Sequence, residues 1–253
     1  MKAASSSANK PKRRRPGASA KERLFTDILG SLKERSHYFT RKAIQTAINE
    51  AELGLKDSSL KVYLSQAVQQ GILHDAGRGW YSRLTEPVKL DLQPVAKLVK
   101  TVEKAFPLLD FTVWSTSQIN PWMHHLLAKP VAFLHVPRET LETVGETLRD
   151  LGWDVAVNPG KREAPKAIRP GEKMVILRPA LNKQPPPQAD HQDAIEKVLV
   201  DLLVEAPRLG LMDASEATNA FNAVLSSHRV QIAVLQRFAE HREVTLPEID
   251  LIN

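Results

Sequence analysis

The chain has no cysteine, which excludes disulfides and thiolate metal sites and fits a reducing compartment. No apolar run approaches the roughly 20 residues that a helix needs to cross a bilayer. The start of the chain is polar and basic rather than apolar like a signal segment, so the expectation is a cytoplasmic protein with no membrane partner. A glycine-rich phosphate loop is also missing, as is any internal repeat. What remains is 253 residues with 42% hydrophobic side chains, enough for one large domain or two small ones, each with a real core.

The formal charge of +6 is unevenly distributed. Residues 1–15 hold Lys2, Lys10, Lys12, Arg13, Arg14 and Arg15 and no acid, while residues 21–84 hold ten basic and seven acidic side chains. The remainder is net acidic. Positive charge is thus concentrated in the first third, where phosphates would be met. The Ser/Ala/Lys/Arg/Pro-rich tail, 1–20, has no periodicity and reads as disordered, either a solvated leader or a phosphate or minor-groove arm.

Residues 21–84 read as a winged helix-turn-helix. Leu24, Phe25, Ile28 and Leu32 recur at helical spacing, giving a first helix. Thr40 is placed to cap a second helix whose apolar face is Ala43, Ile44, Ala47 and Ile48. Residues 52–56 form the turn, with Gly54 free to take positive φ. Ser58 is the expected cap of a third helix that buries Leu60, Leu64, Ala67 and Val68 and stops at Gly71. Residues 73–81, with Gly77, Arg78 and Gly79 at the tip, read as the hairpin wing. Off the buried face of the third helix lie Ser59, Lys61, Val62, Tyr63, Gln66 and Gln69.

This pattern points to double-stranded DNA. Glutamine can pair with adenine and lysine can reach guanine in the major groove, so Lys61, Tyr63, Gln66 and Gln69 are the expected base contacts. Thr40, Lys42, Ser58, Ser59 and Arg78, with Lys10, Lys12, Arg13, Arg14 and Arg15 of the tail, are the expected phosphate contacts. A purely structural or protein-binding three-helix cluster is the competing reading.

Residues 85–181 alternate helical and β-rich runs, the signature of an α/β layer with at least four strands. The expected elements are a helix over 87–106, with a possible interruption at Pro94, and a strand over 111–115. A helix over 120–127, a strand over 131–136 and a helix over 139–151 follow, with Leu151 facing inward. Strands over 154–157 and 174–177 complete the layer. The long basic connection 158–171 reads as a mobile loop. Residues 182–190, with Pro185, Pro186 and Pro187, read as an extended linker. Residues 191–253 are helical by period, with stripes at Ile195, Val198, Leu199, Leu202 and Leu203, then Ala217, Phe221, Val224 and Leu225, then Ile232, Leu235 and Phe238. The fold class is therefore mixed α/β.

Catalytic, metal and cofactor residues are not assigned. His124 and His125 are adjacent, about 100° apart on a helix, and cannot both face one ion. Ser115, Thr116 and Ser117 after a strand suit a helix cap better than a phosphate cradle. Glu172 and Lys173 before a strand faintly suggest a nuclease carboxylate-lysine pair, with Asp154 as a speculative metal carboxylate. Trp80, Trp114, Trp122 and Trp153 read as packing residues.

The order winged helix, then Val113-Trp114-Ser115-Thr116 with Asn120 following, then 131–136, then the Glu196-Lys197-x-Leu199-x-Asp201 run resembles the AbiEi-type antitoxins of bacterial type IV toxin-antitoxin systems. The resemblance implies a winged helix that binds promoter inverted repeats and represses its own operon, as a monomer in solution or a dimer on DNA. It implies a C-terminal part that neutralises a nucleotidyltransferase-like toxin, with or without direct contact, and no turnover by this chain. The basic tail lies outside the family pattern. Taken alone, Lys197 and Asp201 are i and i+4 and can pair along the helix for a few tenths of a kcal/mol, and a docking role would require them to be exposed. The alternatives are a DNA-targeted nuclease-like enzyme and a ligand-responsive regulator, the latter marked by a pocket of convergent polar groups.

Overall fold

In the computed structural model, which describes residues 18–123, 130–248 and 251–252, Ser19 opens the first helix with a capping box. Its hydroxyl accepts from the Glu22 N–H, and the Glu22 carboxylate accepts from the Ser19 N–H. Helix α1 (Ala20–Arg23) passes through a π-helical stretch, Leu24–Ile28, into α2 (Leu29–Arg35). Strand β1 (Tyr38–Thr40) leads to α3 (Arg41–Glu50), which the Thr40 hydroxyl caps by accepting from the Ala43 N–H at 3.0 Å. Gly54 sits at φ +64° in the turn, as its position requires.

Helix α4 (Asp57–Gln69) follows, then β2 (His74–Asp75) and β3 (Trp80–Ser82). The capping role expected of Ser58 is corrected: α4 starts two residues earlier than that cap implies, at Asp57, and its N-cap is Lys56, with no side-chain bond. Strand β3 pairs antiparallel with both β1 and β2. Leu24, Leu29, Leu32, Phe39, Ile44, Ile48, Leu60 and Leu64 form the core beneath. The arrangement is a winged helix. A further strand, β8 (Leu251–Ile252), runs parallel to β1 on its free side.

The second layer is a four-stranded sheet in the order β4-β5-β7-β6: β4 (Thr112–Ser115), β5 (Ala132–Val136), β6 (Asp154–Val157) and β7 (Met174–Pro179). Alternate residues face opposite sides, as the pleat requires. Val113, Leu134, Val175 and Leu177 pack against α5 (Gln93–Ala105) and α6 (Leu141–Asp150). Trp114, Phe133 and Ile176 face α8 (Ile195–Arg208), α9 (Ala214–Ser227) and α10 (Ile232–His241). The Trp114 and Phe133 rings stack at 4.5 Å, a pair worth about 0.5–1.5 kcal/mol beyond its buried area.

Several sequence expectations are corrected. Pro94 sits in the first turn of α5, where its missing N–H has no intrahelical partner to lose, so it starts the helix rather than interrupting it. Residues 87 and 88 are extended against Arg229. The helix expected over 120–127 is instead a 3-10 turn, Thr116–Trp122, capped by Ser115, and residues 124–127 lie outside the described ones. The connection 158–171 is anchored by a short helix, α7 (Ala164–Ala167), with Ala164 and Ile168 in the core. Leu151, expected inside, is 54% exposed.

The structure settles the surroundings of Lys197, which the sequence left open. Thr112, His135 and Arg178 form a row across β4, β5 and β7, facing α8. Asp193, Lys197, Asp201 and Glu205 recur every four residues along or just before that helix, and all are buried. The Lys197 Nζ lies 2.9 Å from Asp193 Oδ2, 2.8 Å from Asp201 Oδ2 and 3.1 Å from His135 Nδ1. Arg178 donates to Glu205 at 2.5 Å and to the Asn158 side chain at 2.9 Å, while Arg242 approaches both Asp201 and Glu205. Lys197 and Asp201 are therefore members of a desolvated network, not a surface pair. Burial alone would push the Asp193 carboxyl up, but the Lys197 ammonium and His135 outweigh it and hold it well below the usual carboxylate range.

The winged helix is tied to the rest through Tyr38. Its hydroxyl donates to the His228 carbonyl at 2.7 Å and accepts from the Val230 N–H at 3.0 Å. Burial pushes its pKa up to about 12. Glu196 accepts from the Gln231 N–H at 2.8 Å, pinning the start of α10 to the start of α8, and burial raises its carboxyl.

Replacing Lys197 with methionine leaves two buried carboxylates without their cation, which costs about 3–5 kcal/mol at pH 7. In the native chain the depressed Asp193 carboxyl contributes stability above the unfolded value near 4 that is lost as pH falls through and below it. Urea midpoints between pH 3 and 7 should therefore show the gap between native chain and variant narrowing on acidification; a constant gap would contradict the network. Tyr38→Phe leaves the Val230 N–H unpaired, for a loss of about 1–3 kcal/mol. The raised Tyr38 value has the opposite sign: its contribution is present below about 10 and lost as pH rises towards 12. Alkaline unfolding monitored by circular dichroism should lose that component in the phenylalanine variant.

Candidate nucleic-acid interface

Three contacts gather the exposed elements of the winged helix. The Arg41 N–H donates to the Gly79 carbonyl at 2.8 Å, which brings the wing tip to the start of α3. The Arg41 guanidinium pairs with Asp57 at 2.5 Å, which brings the start of α4 to the same place. The Ala233 N–H reaches the Ala76 carbonyl at 3.4 Å, so α10 buttresses the wing from behind. Gly77 sits at φ +92°, and a Cβ there would lie 2.8 Å from that of Ala233. The wing is short and held.

Leu60, Leu64 and Ala67 define the inward side of α4. At 100° per residue the opposite side is Ser58, Val62, Ser65 and Gln69, with Lys61 on its flank. All five are exposed, and Val62 is 54% exposed. Lys42 and Arg78 are exposed as expected, near Arg41 and the exposed Lys56. Tyr63 and Gln66 are only half-buried or better: Tyr63 packs on the winged-helix core, and Gln66 Oε1 is shielded from solvent. Ser59 is half-buried, and the Thr40 hydroxyl is occupied by its cap. Lys10, Lys12, Arg13, Arg14 and Arg15 lie outside the described residues, as do His124 and His125.

The sequence reading placed Val62 off the buried face but not among the contact residues, and it did not name Arg41 or Ser65 as contacts. The signal was present in the helical period, since a wheel centred on Leu60, Leu64 and Ala67 puts Val62 and Gln69 furthest from the core.

In the α/β layer, Ser115 acts as a cap, its hydroxyl accepting from the Ser117 N–H and its own N–H donating to Gln118 at 2.8 Å. Trp80, Trp114 and Trp153 are buried and Trp122 packs against the core, as expected. Glu172 and Lys173 line a surface concavity of about 370 Å³ together with Ser115, Ser117 and Lys97, and exposed Asp154 is not part of that lining. An adjoining concavity of about 780 Å³ runs along α5. Among the described residues no group of three or more His, Asp or Glu is placed to hold a metal ion. No described helix is long and apolar enough to cross a membrane.

Comparison with curated proteins finds no match. Residues 59–250, from the third helix of the winged helix through the sheet and the C-terminal helices, match the model of a family of unknown function, DUF6577, and the chain belongs to that family.

Proposed function

We propose that this chain is a sequence-specific duplex-DNA-binding protein that reads the major groove with α4. The observation that carries the reading is the exposed stripe Ser58, Val62, Ser65 and Gln69, flanked by Lys61 and set beside Arg41, Lys42 and Arg78. Gln69 can pair with an adenine edge, Lys61 can reach guanine, and Val62 offers an apolar contact to a thymine methyl. Lys42 and Arg78 would hold phosphates and fix the register without reading bases. The Arg41–Asp57 pair joins the two helices at the point where the backbone would cross.

The resemblance to AbiEi-type antitoxins supports a fuller reading of the same surface. The winged helix would repress the chain's own operon through inverted repeats, and the remaining layers would neutralise a nucleotidyltransferase-like toxin. That reading assigns no reaction to this chain and places it in the cytoplasm.

Gel-shift titration against the upstream region of its own gene tests the DNA reading. Lys61→Ala with Gln69→Ala should weaken specific binding by about 30-fold or more, each good base contact being worth about 1–3 kcal/mol, and leave binding to random duplex nearly unchanged. Equal sequence preference in variant and native chain would overturn the assignment of α4. Substituting deoxyuridine for thymine in the bound site should weaken the native chain and leave Val62→Ala indifferent at the contacted position. Co-expression with the product of a neighbouring nucleotidyltransferase-like gene checks the antitoxin reading: rescue of growth is expected, and failure to rescue removes it while leaving DNA binding intact.

A further inference from the structure

Helix α5 has two opposed faces. Val95, Leu98, Val99 and Val102 are buried against the sheet, while Lys97, Lys100 and Lys104 are exposed at i, i+3 and i+7. The three lysines span about 10 Å along the axis, at 1.5 Å per residue. They line the concavity of about 780 Å³, whose far wall carries Leu151 and Trp153. The neighbouring concavity of about 370 Å³ shares Gln93, Lys97 and Trp153 with it and adds Lys173, Ser115 and Ser117, so the two form one continuous groove.

The charge in this groove is one-sided. Among the described residues none of the four lysines has a carboxylate within 4 Å. Glu103, on the same helix, is drawn instead to His191 at 3.5 Å. Asp91 accepts from the Gln93 N–H at 3.0 Å at the start of the helix. Glu172 is the one acid on the lining, beside Lys173 at the end away from Lys104. Four ammonium groups kept together without counter-charges repel one another, and an anion along the groove relieves that repulsion.

We propose that this groove binds the phosphodiester backbone of a nucleic-acid strand, as a second contact built entirely from the α/β layer. Lys97, Lys100 and Lys104, spread along one helix face, would meet neighbouring phosphates of one strand. Lysines act here as point charges without a planar fork, which suits a backbone contact that does not read sequence. Lys173 and the Ser117 hydroxyl would extend the track at the sheet end.

The groove and the winged helix use different residues, so the two readings fail separately. Fluorescence anisotropy of a labelled 12-nucleotide dT strand and of a random-sequence duplex reads binding by the full chain across a salt series. The comparison sets Lys97→Gln/Lys100→Gln/Lys104→Gln against the native chain, and repeats it in a Lys61→Ala/Gln69→Ala background. The triple variant should weaken strand binding by about tenfold and flatten the slope of log affinity against log salt by about 2, at roughly 0.7 per neutralised phosphate. The loss should be the same in both backgrounds. Unchanged affinity and slope in the triple variant overturn the groove and leave the winged helix standing. A loss seen with the triple variant, with Lys61→Ala/Gln69→Ala unchanged on the duplex upstream of the chain's own gene, keeps the groove and removes α4 as the reader. Competition by polyglutamate as effective as by dT strand would make the groove an acidic-protein site and overturn the proposal. All three lysines are exposed, so far-ultraviolet circular dichroism and the urea midpoint should not change.

Discussion

The ammonium group of Lys197 sits with no exposure between two carboxylates and an imidazole, and the placement of the C-terminal helices follows from it. An ammonium carries three donors and no acceptor, and Asp193, Asp201 and His135 take all three directions. Apolar packing of α8 against the sheet would tolerate a small rotation or slide. A buried cation with fixed partners tolerates neither, because any displacement leaves charge unpaired in a medium of low dielectric. Arg178 with Glu205 repeats the device two turns further along, and Arg242 joins the two from α10. Such a network adds little net stability over an apolar core of the same shape, but it fixes which face of α8 meets the sheet.

From that helix the order spreads outward. Glu196 positions the start of α10, the segment 228–230 runs beneath the wing, and Tyr38 bonds to it from the winged helix. The wing tip rests against Ala233. Helix α4 therefore has an orientation set by residues more than a hundred positions away, and the two basic surfaces, the face of α4 and the groove beside α5, are carried on one packed body rather than on separately tumbling parts.

Features decided within a few residues were readable from the sequence. The Thr40 cap, Gly54 at positive φ, the Ser115 cap and the alternation of strands and helices all depend on local backbone chemistry. Features decided by distant partners were not. Lys197 and Asp201 have the spacing of an ordinary exposed pair, and only His135, 62 positions earlier in the chain, and Arg242 show that the pair is buried. Ala164 and Ile168 lie in a stretch whose charge and prolines read as a loose loop, yet two apolar side chains suffice to anchor it. Tyr63 and Gln66 have polar groups that invite a surface role, yet Tyr63 lies close to the Leu60–Ala67 side of the helix and packs on the core, and the Gln66 Oε1 is shielded from solvent. The lysines of α5 were visible as a period, but the opposite wall of their groove comes from residues 151–153 and 171–173, which no local pattern connects to them.

The bond between Tyr38 and the backbone of residues 228 and 230 spans most of the chain, and it divides folding in time. The core of the winged helix draws only on residues between Leu24 and Leu73, so it can close while later segments are still being synthesised. Its sheet cannot be completed then: the hydroxyl of Tyr38 has no partner until α9 has left the ribosome, and β1 keeps a bare edge until β8 arrives. During that interval the winged helix exists as a folded but unanchored unit with an open strand edge, which is the state most exposed to pairing with another chain.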